Sequence, residues 1–322
     1  MAEKLAELLS LRVSAASRAA VSGGPDVVYT ANIDPVFTIG PKVHGGSMQM
    51  LIAHAARTAF AELVPEKTAQ EKTAQEKTAQ EKTAQEGVSQ EGVSQEGVSQ
   101  GDAGGATELV PVAISSDYLS APDPAEVELA VTVRKRGRTV SLLHVDLRQG
   151  GRTMVSSSVT LARLDTGRSR HSASTVLDAL PIEPPPDGIH IDNSPISEAI
   201  HLGPALDLVL DPESFPALRG ETGEPLVRGW VRPKAGEPDS GFAVLVCDVS
   251  PPVVMNLAFF GWAPTVQLTT YVRRQPVGGW LRFAATSSEV GPAMFEEDHL
   301  VVDSSGAVVA QSRQLALLPQ PR

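Results

Sequence analysis

Asp248 is the only charged residue in the apolar run AVLVCDVSPPVV. Burying an unpaired carboxylate costs several kcal/mol, so such a residue is paired, put to use, or left facing solvent at a helix end, for which Pro251 supplies a terminus. A second feature is His44-Gly45-Gly46, at the start of a long apolar segment. Glycines at a helix start leave backbone N–H groups free to meet a carbonyl oxygen or a developing oxyanion. The same glycines would also let helix and sheet pack closely, and His44 itself reads as structural. In PTVQLTTYV, strand alternation puts Thr265, Gln267 and Thr269 on one face, opposite Val266, Leu268 and Val272. Beside a carboxylate that face would make a polar site; otherwise it is a solvated stripe. Cys247 neighbours Asp248, but on a helix it points about 100° away and so packs in the core if Asp248 faces a site.

Several familiar signals are missing. There is no phosphate-binding Gly-rich loop, no GxSxG elbow and no metal-spaced His pair, and the single cysteine forbids an intramolecular disulfide framework or a paired-cysteine zinc site. No metal or cofactor is implied. The net charge of −11 argues against a general nucleic-acid binder. No stretch approaches a membrane span, and the N-terminus lacks an uninterrupted apolar core, so we expect a cytoplasmic protein.

The elements that must position these residues fall into two similar runs. In the first, PKVHGGSMQMLIAHAARTAFAELV carries apolar residues at helical spacing on a face too wide for a surface helix. VPVAISSDYL and AEVELAVTVRKRGRTVSLLHVDLRQGGRTMVSSSVTLARL then read as long strands with turns at Arg136-Gly137-Arg138 and Gln149-Gly150-Gly151. In the second, ALDLVLDPESF and PLVRGWVRP read as strands and SGFAVLVCDVSPPVVMNL as an apolar helix. APTVQLTTYVRRQPV, GWLRFAATSSEV and HLVVDSSGAVVAQSRQLALL follow as strands. The expectation is an α+β tandem duplication, with an N-terminal unit over 1–164, a linker over 165–200 and a C-terminal unit over 201–322. Between the first helix and its next strand, four copies of EKTAQ and three of EGVSQ run from Glu66 to Gln100. A five-residue period advances about 500° around a helix, so no lasting apolar stripe forms, and a surface-loop expansion over 66–105 is expected.

Taken in order, HGG on a core helix, SSDYLSAPDP before a long hairpin, VCDVSPP, PTVQLTTYVRR and VVAQSRQLALLP resemble the acyl-CoA thioesterase II (TesB-like) family. That resemblance covers nearly the whole chain outside the repeat and linker. It implies a double hotdog, each half a long antiparallel sheet wrapped around a central helix. It also implies hydrolysis of a fatty acyl-CoA thioester at a site of Asp248, Thr265 and Gln314. His44, Gly45 and Gly46 would bind substrate, and Arg136 and Arg138 are the candidates for the CoA phosphates, unless their cluster is only a solvated hairpin tip.

The strand that in close family members reads Ser-Leu-Asp-His is Thr265-Val266-Gln267-Leu268 here, and a one-residue shift of the match would put Val266 in the catalytic place. In single-hotdog relatives the helix carboxylate stands nine residues after the His, a position held here by Ala53, so the first half is expected to be non-catalytic. The remaining alternatives are a non-hydrolytic acyl-CoA or acyl-lipid binding protein and an interaction protein working through the repeat. The Asn-Pro-Leu-His type loop of double-hotdog hydratases is not found. The implied partner is acyl-CoA, with no nucleic acid and no membrane; pairing of two double-hotdog chains into a homodimer stays open.

Overall fold

The computed structural model describes residues 4–14, 24–63 and 108–319, so the repeat lies outside the described residues. Helix α1 (Lys4–Leu8) and strands β1 (Arg12–Val13) and β2 (Val27–Asn32) are followed by the small hairpin of β3 (Thr38–Ile39) and β4 (Lys42–Val43). Helix α2 (Gly45–Leu63) follows, then the long strands β5 (Val110–Tyr118), β6 (Glu126–Lys135), β7 (Ser141–Gln149) and β8 (Arg152–Ala162). The second run comprises β9 (Ile189–His190), β10 (Leu206–Leu210), β11 (Leu226–Pro233), helix α3 (Ser240–Val246), β12 (Thr265–Val272), β13 (Leu281–Thr286), β14 (Met294–Val302) and β15 (Val308–Leu317).

Except for β3 and β4, the strands form one antiparallel sheet in the order β1-β2-β6-β7-β8-β5-β12-β15-β14-β13-β11-β10-β9. Strands β6–β7–β8 and β13–β14–β15 pair in sequence order by hairpins, as alternating apolar residues and Gly turns require. At the β7–β8 turn, Gly150 and Gly151 take φ values of 58° and 76°, which residues with a Cβ rarely adopt. The two halves meet where β5 pairs with β12, Ser116 opposite Leu268 and Ile114 opposite Thr270.

Helix α2 is apolar on most sides because it is enclosed: Leu51, Ile52, Ala55, Ala56 and Ala59 have no exposed surface. They share one core with Phe242–Val246 of α3 and with the inward residues of strands from both halves. At the seam Gln49 of α2 is fully buried and its amide is satisfied on both sides. Its Nε2 donates to Ser116 Oγ and to the Leu268 carbonyl, each at 3.1 Å, and its Oε1 accepts from the Thr270 hydroxyl at 2.6 Å.

Three expectations change. The second apolar helix does not run through SGFAVLVCDVSPPVVMNL: it ends at Val246, Cys247 caps it, and Asp248 lies just past the end. The tandem prolines Pro251 and Pro252 disfavour helical backbone before them, and a short 3-10 turn over Val253–Leu257 takes up the rest. The last hairpin starts earlier than read, because β14 begins at Met294 rather than at His299. Finally, residues 165–200 lack periodicity yet pack closely. Leu177 and Leu180 are buried against Trp230 and Trp280, and Ile191, Ile196 and Ile200 enter the main core.

Candidate active site

The site is built where the start of α2 meets the end of α3. Asp248 retains 10% of its side-chain exposure, and its Oδ2 accepts the Gly46 N–H at 2.7 Å. Its other oxygen, Oδ1, has no hydrogen-bond partner among the described residues. Burial raises the Asp248 carboxyl to about 7, against the smaller opposing pull of the Gly46 N–H.

His44 is a structural prop here. The Ser47 backbone N–H, which can only donate, reaches His44 Nδ1 at 3.2 Å, so Nδ1 carries the lone pair and Nε2 the hydrogen. That hydrogen is donated to the Asp248 carbonyl at 2.7 Å. Burial holds the imidazole down to about 4, so at neutral pH its 3.6 Å approach to Asp248 Oδ2 is a dipolar contact rather than an ion pair.

The glycines permit the approach itself. A Cβ on Gly45 would stand 2.5 Å from Asp248 Oδ2, and one on Gly46 would stand 2.6 Å from the Leu245 carbonyl. Close packing and N–H donation are therefore not alternatives. The Gly46 N–H is spent on Asp248, whereas the Gly45 N–H has no partner among the described residues. Tyr118, at the end of β5, donates its hydroxyl to the Gly45 carbonyl at 3.0 Å.

Thr265 and Gln314 are brought together. The Thr265 hydroxyl donates to Gln314 Oε1 at 2.8 Å, across the β12–β15 pairing. Regular alternation did not place Thr265 correctly: the expected stripe of Thr265, Gln267 and Thr269 is broken by a register irregularity between Thr265 and Gln267. Thr265 lies opposite Ala316 and Gln267 opposite Leu315, so Val266 is the extra, bulged residue. In regular pairing Val266 would take the place opposite Ala316. Gln267 and Thr269 turn the other way, toward Asp117 and Ser115 of β5.

Sequence reading missed Glu297, Ser250 and His299. Glu297 is 1% exposed on β14, where Phe295, Glu297 and His299 face in while Glu296, Asp298 and Leu300 are half-buried. Period-two alternation across FEEDHL is the signal that could have found it. Gln314 Nε2 donates to Glu297 Oε1 at 3.2 Å, the Ser250 hydroxyl donates to the same oxygen at 3.2 Å, and the Val253 N–H donates to Oε2 at 3.0 Å. Ser250, two residues after Asp248, and Gln314, which holds Thr265, therefore meet on Glu297.

Ser250 also lies 3.0 Å from His299 Nε2. This is not a nucleophile–base–acid triad, because His299 Nδ1 has no partner to orient or charge-stabilise the ring, and burial holds the imidazole down to about 3. Cys247 is buried and its thiol is pushed far up, which suits a core residue and not a nucleophile.

Arg136 and Arg138 are exposed at the tip of the β6–β7 hairpin, among strands of the first half, whereas Thr265, Glu297 and Gln314 sit on β12, β14 and β15. They contact none of the site residues above. A cavity of about 600 Å³ lined by Pro35, Val36, Ile200, His201 and Pro204 likewise touches none of Asp248, Thr265 or Gln314. Among the described residues no His/Cys/Asp/Glu cluster could hold a metal, and no helix is long and apolar enough to cross a membrane.

Comparison with known proteins agrees with this architecture. Residues 178–318 match the acyl-CoA thioesterase C-terminal domain and residues 95–162 the acyl-CoA thioesterase N-terminal domain. An uncharacterized protein of Mycobacterium tuberculosis is 36% identical over 311 residues, which cover 91% of each chain. A candidate thioesterase II from Thermobifida fusca superposes with a TM-score of 0.69 at 24% identity, covering 98% of this chain and 97% of that one. A hotdog-fold protein from Alicyclobacillus acidocaldarius superposes with a TM-score of 0.67 at 15% identity, covering 99% and 98%. With both family domains matched in order along the tandem sheet, the chain belongs to the acyl-CoA thioesterase family and is a thioester hydrolase.

Proposed function

We propose that the chain hydrolyses fatty acyl-CoA to the free acid and CoA, with Asp248 as the general base. The observation that carries this reading is a buried carboxylate raised to about 7, anchored through Oδ2 on the Gly46 N–H with Oδ1 unoccupied. Water is held between Asp248 and the Thr265–Gln314 pair. Its oxygen attacks the thioester carbonyl carbon while its proton passes to Asp248. The Gly45 N–H, at the positive end of α2, is the donor available to the developing oxyanion. Collapse of the tetrahedral intermediate breaks the C–S bond, and the proton on Asp248 leaves with the thiol. A thiol with a reference pKa of about 8.5 departs readily, so no strong general acid is needed. Arg136 and Arg138 are at most distal contacts for the CoA phosphates.

The test is free-thiol release from short, medium and long acyl-CoAs by the full chain and by Asp248→Asn. Turnover reduced by on the order of 10³-fold or more in the variant is expected. Parental turnover in the variant would rule out Asp248. Binding of acyl-CoA without turnover by the unaltered chain would establish a binding protein instead.

A further inference from the structure

Glu297 is buried at 1% exposure beside the hydrolytic residues, and the chemistry above gives it no part. Each of its three polar contacts is a donor. The Val253 N–H is backbone and cannot reverse, so Oε2 must accept; Ser250 Oγ and Gln314 Nε2 both point at Oε1. Gln314 is therefore held one way round, with Nε2 toward Glu297 and Oε1 receiving the Thr265 hydroxyl at 2.8 Å. A threonine hydroxyl has one proton, and here it is spent.

We propose that Glu297 is a positioning residue for hydrolysis. By accepting from Gln314 Nε2 it fixes the amide so that Thr265 gives its proton to Gln314 and keeps its lone pairs for a hydrogen of the attacking water. The inference rests on reading Asp248, Thr265 and Gln314 as the hydrolytic set. Water oriented in this way points its two hydrogens at Thr265 and Asp248, which leaves an oxygen lone pair for the carbonyl carbon. A protonated Glu297 would need an acceptor of its own, and a turned Gln314 amide would supply one at the cost of the Thr265 orientation.

The groups facing Glu297 are Asp248 and Ser250 from the segment after α3, His299 on its own strand, and Gln314 on β15. His44 approaches from the start of α2, against Asp248. Both histidines stay neutral, held down to about 3 and about 4 by burial. Glu297 is raised to about 8, by burial first and also by the charge on Asp248. Two carboxylates must therefore lose protons before the productive arrangement is complete, and as a coupled pair they titrate together.

The test compares the unaltered chain, Asp248→Asn, Glu297→Gln and the double variant Glu297→Gln with Gln314→Glu. All are assayed on an acyl-CoA that the unaltered chain turns over. In Glu297→Gln the Val253 N–H keeps the new carbonyl oxygen, the new NH₂ faces Gln314, and Gln314 must turn. We expect kcat to fall by on the order of 10- to 100-fold with KM within about two-fold. The acid limb of log(kcat/KM) against pH should approach a slope of about two in the unaltered chain and about one in Glu297→Gln. In the double variant the carboxylate introduced on β15 accepts from both the amide introduced on β14 and the Thr265 hydroxyl, and kcat recovers.

Parental kcat with an unchanged acid limb in Glu297→Gln, or a loss with neither the slope change nor the rescue, would overturn the inference. Should Glu297→Gln fail to fold, the unaltered chain decides: an acid limb of slope one overturns it. Collapse of Asp248→Asn alone leaves the hydrolytic set standing and removes only Glu297, whereas a fully active Asp248→Asn removes the set itself.

Discussion

Asp248 shows how a buried carboxylate acts against the stability of the protein that holds it. In the unfolded chain an aspartyl group loses its proton around 3.8; in the fold it keeps it until about 7, because burial penalises the charge. Between those values the native state binds more protons than the unfolded state, so stability falls as pH rises, and above about 7 the full cost remains. Asparagine keeps an acceptor for the Gly46 N–H and carries no charge. Asp248→Asn should therefore be more stable than the unaltered chain by on the order of 2–4 kcal/mol at pH 8, and equal to it near pH 4. Urea denaturation at the two pH values measures this; equal stability at both would mean that Asp248 is not a buried charge in the native state.

At the scale of elements, the start of α2 and the end of α3 are made for each other. The two glycines meet different things there, which separates their effects. Ala at position 45 would collide with the end of the Asp248 side chain, which can move, whereas Ala at position 46 would collide with the Leu245 carbonyl, which cannot. Gly45→Ala should cost little stability but most of the activity, since displacing the proposed base by about 1 Å is worth on the order of 10²-fold. Gly46→Ala should lower stability by about 1–3 kcal/mol through forced backbone shifts. Denaturation midpoints and kcat for the two variants check the contrast, and identical behaviour would refute it. The β12 bulge works at the same scale: one extra residue decides whether a threonine or a valine faces Gln314.

At the scale of the molecule, the two halves are one cooperative body, because α2, α3 and the inward strand faces share a continuous core and β5 pairs with β12. Gln49 ties the first half's helix to both strands of that seam. Gln49→Leu would strand the Thr270 hydroxyl, the Leu268 carbonyl and one bond to Ser116, at a cost of about 2–4 kcal/mol. Because the core is shared, the loss should appear as one earlier transition, with far-UV circular dichroism and the fluorescence of Trp230 and Trp280 moving together. Separate transitions would show that the halves unfold independently.

Much of this was legible along the chain. The width of α2's apolar face, the alternation in β5–β8 and the Gly turns are local properties, and local properties are what periodicity records. So is the oddity of a lone carboxylate in AVLVCDVSPPVV, which marks Asp248. Alternation groups Thr265 with Gln267 and Thr269, and the resemblance then singles Thr265 out; alternation misplaces it because a bulge is set by the register of the partner strand and leaves no trace in a single strand's pattern. Glu297 is hidden for a related reason: in FEEDHL three consecutive acids look alike, alternation offers two faces, and the sheet's packing on α3 and the following turn selects the one that makes Glu297 interior and Asp298 a surface partner of Arg313. The sequence by itself determined the elements, the tandem plan and the residue types available for hydrolysis. Tertiary structure alone decided which of those residues face one another, because burial and hydrogen-bond direction depend on what packs opposite, and that comes from chain hundreds of residues away, as Gly46 and Asp248 show.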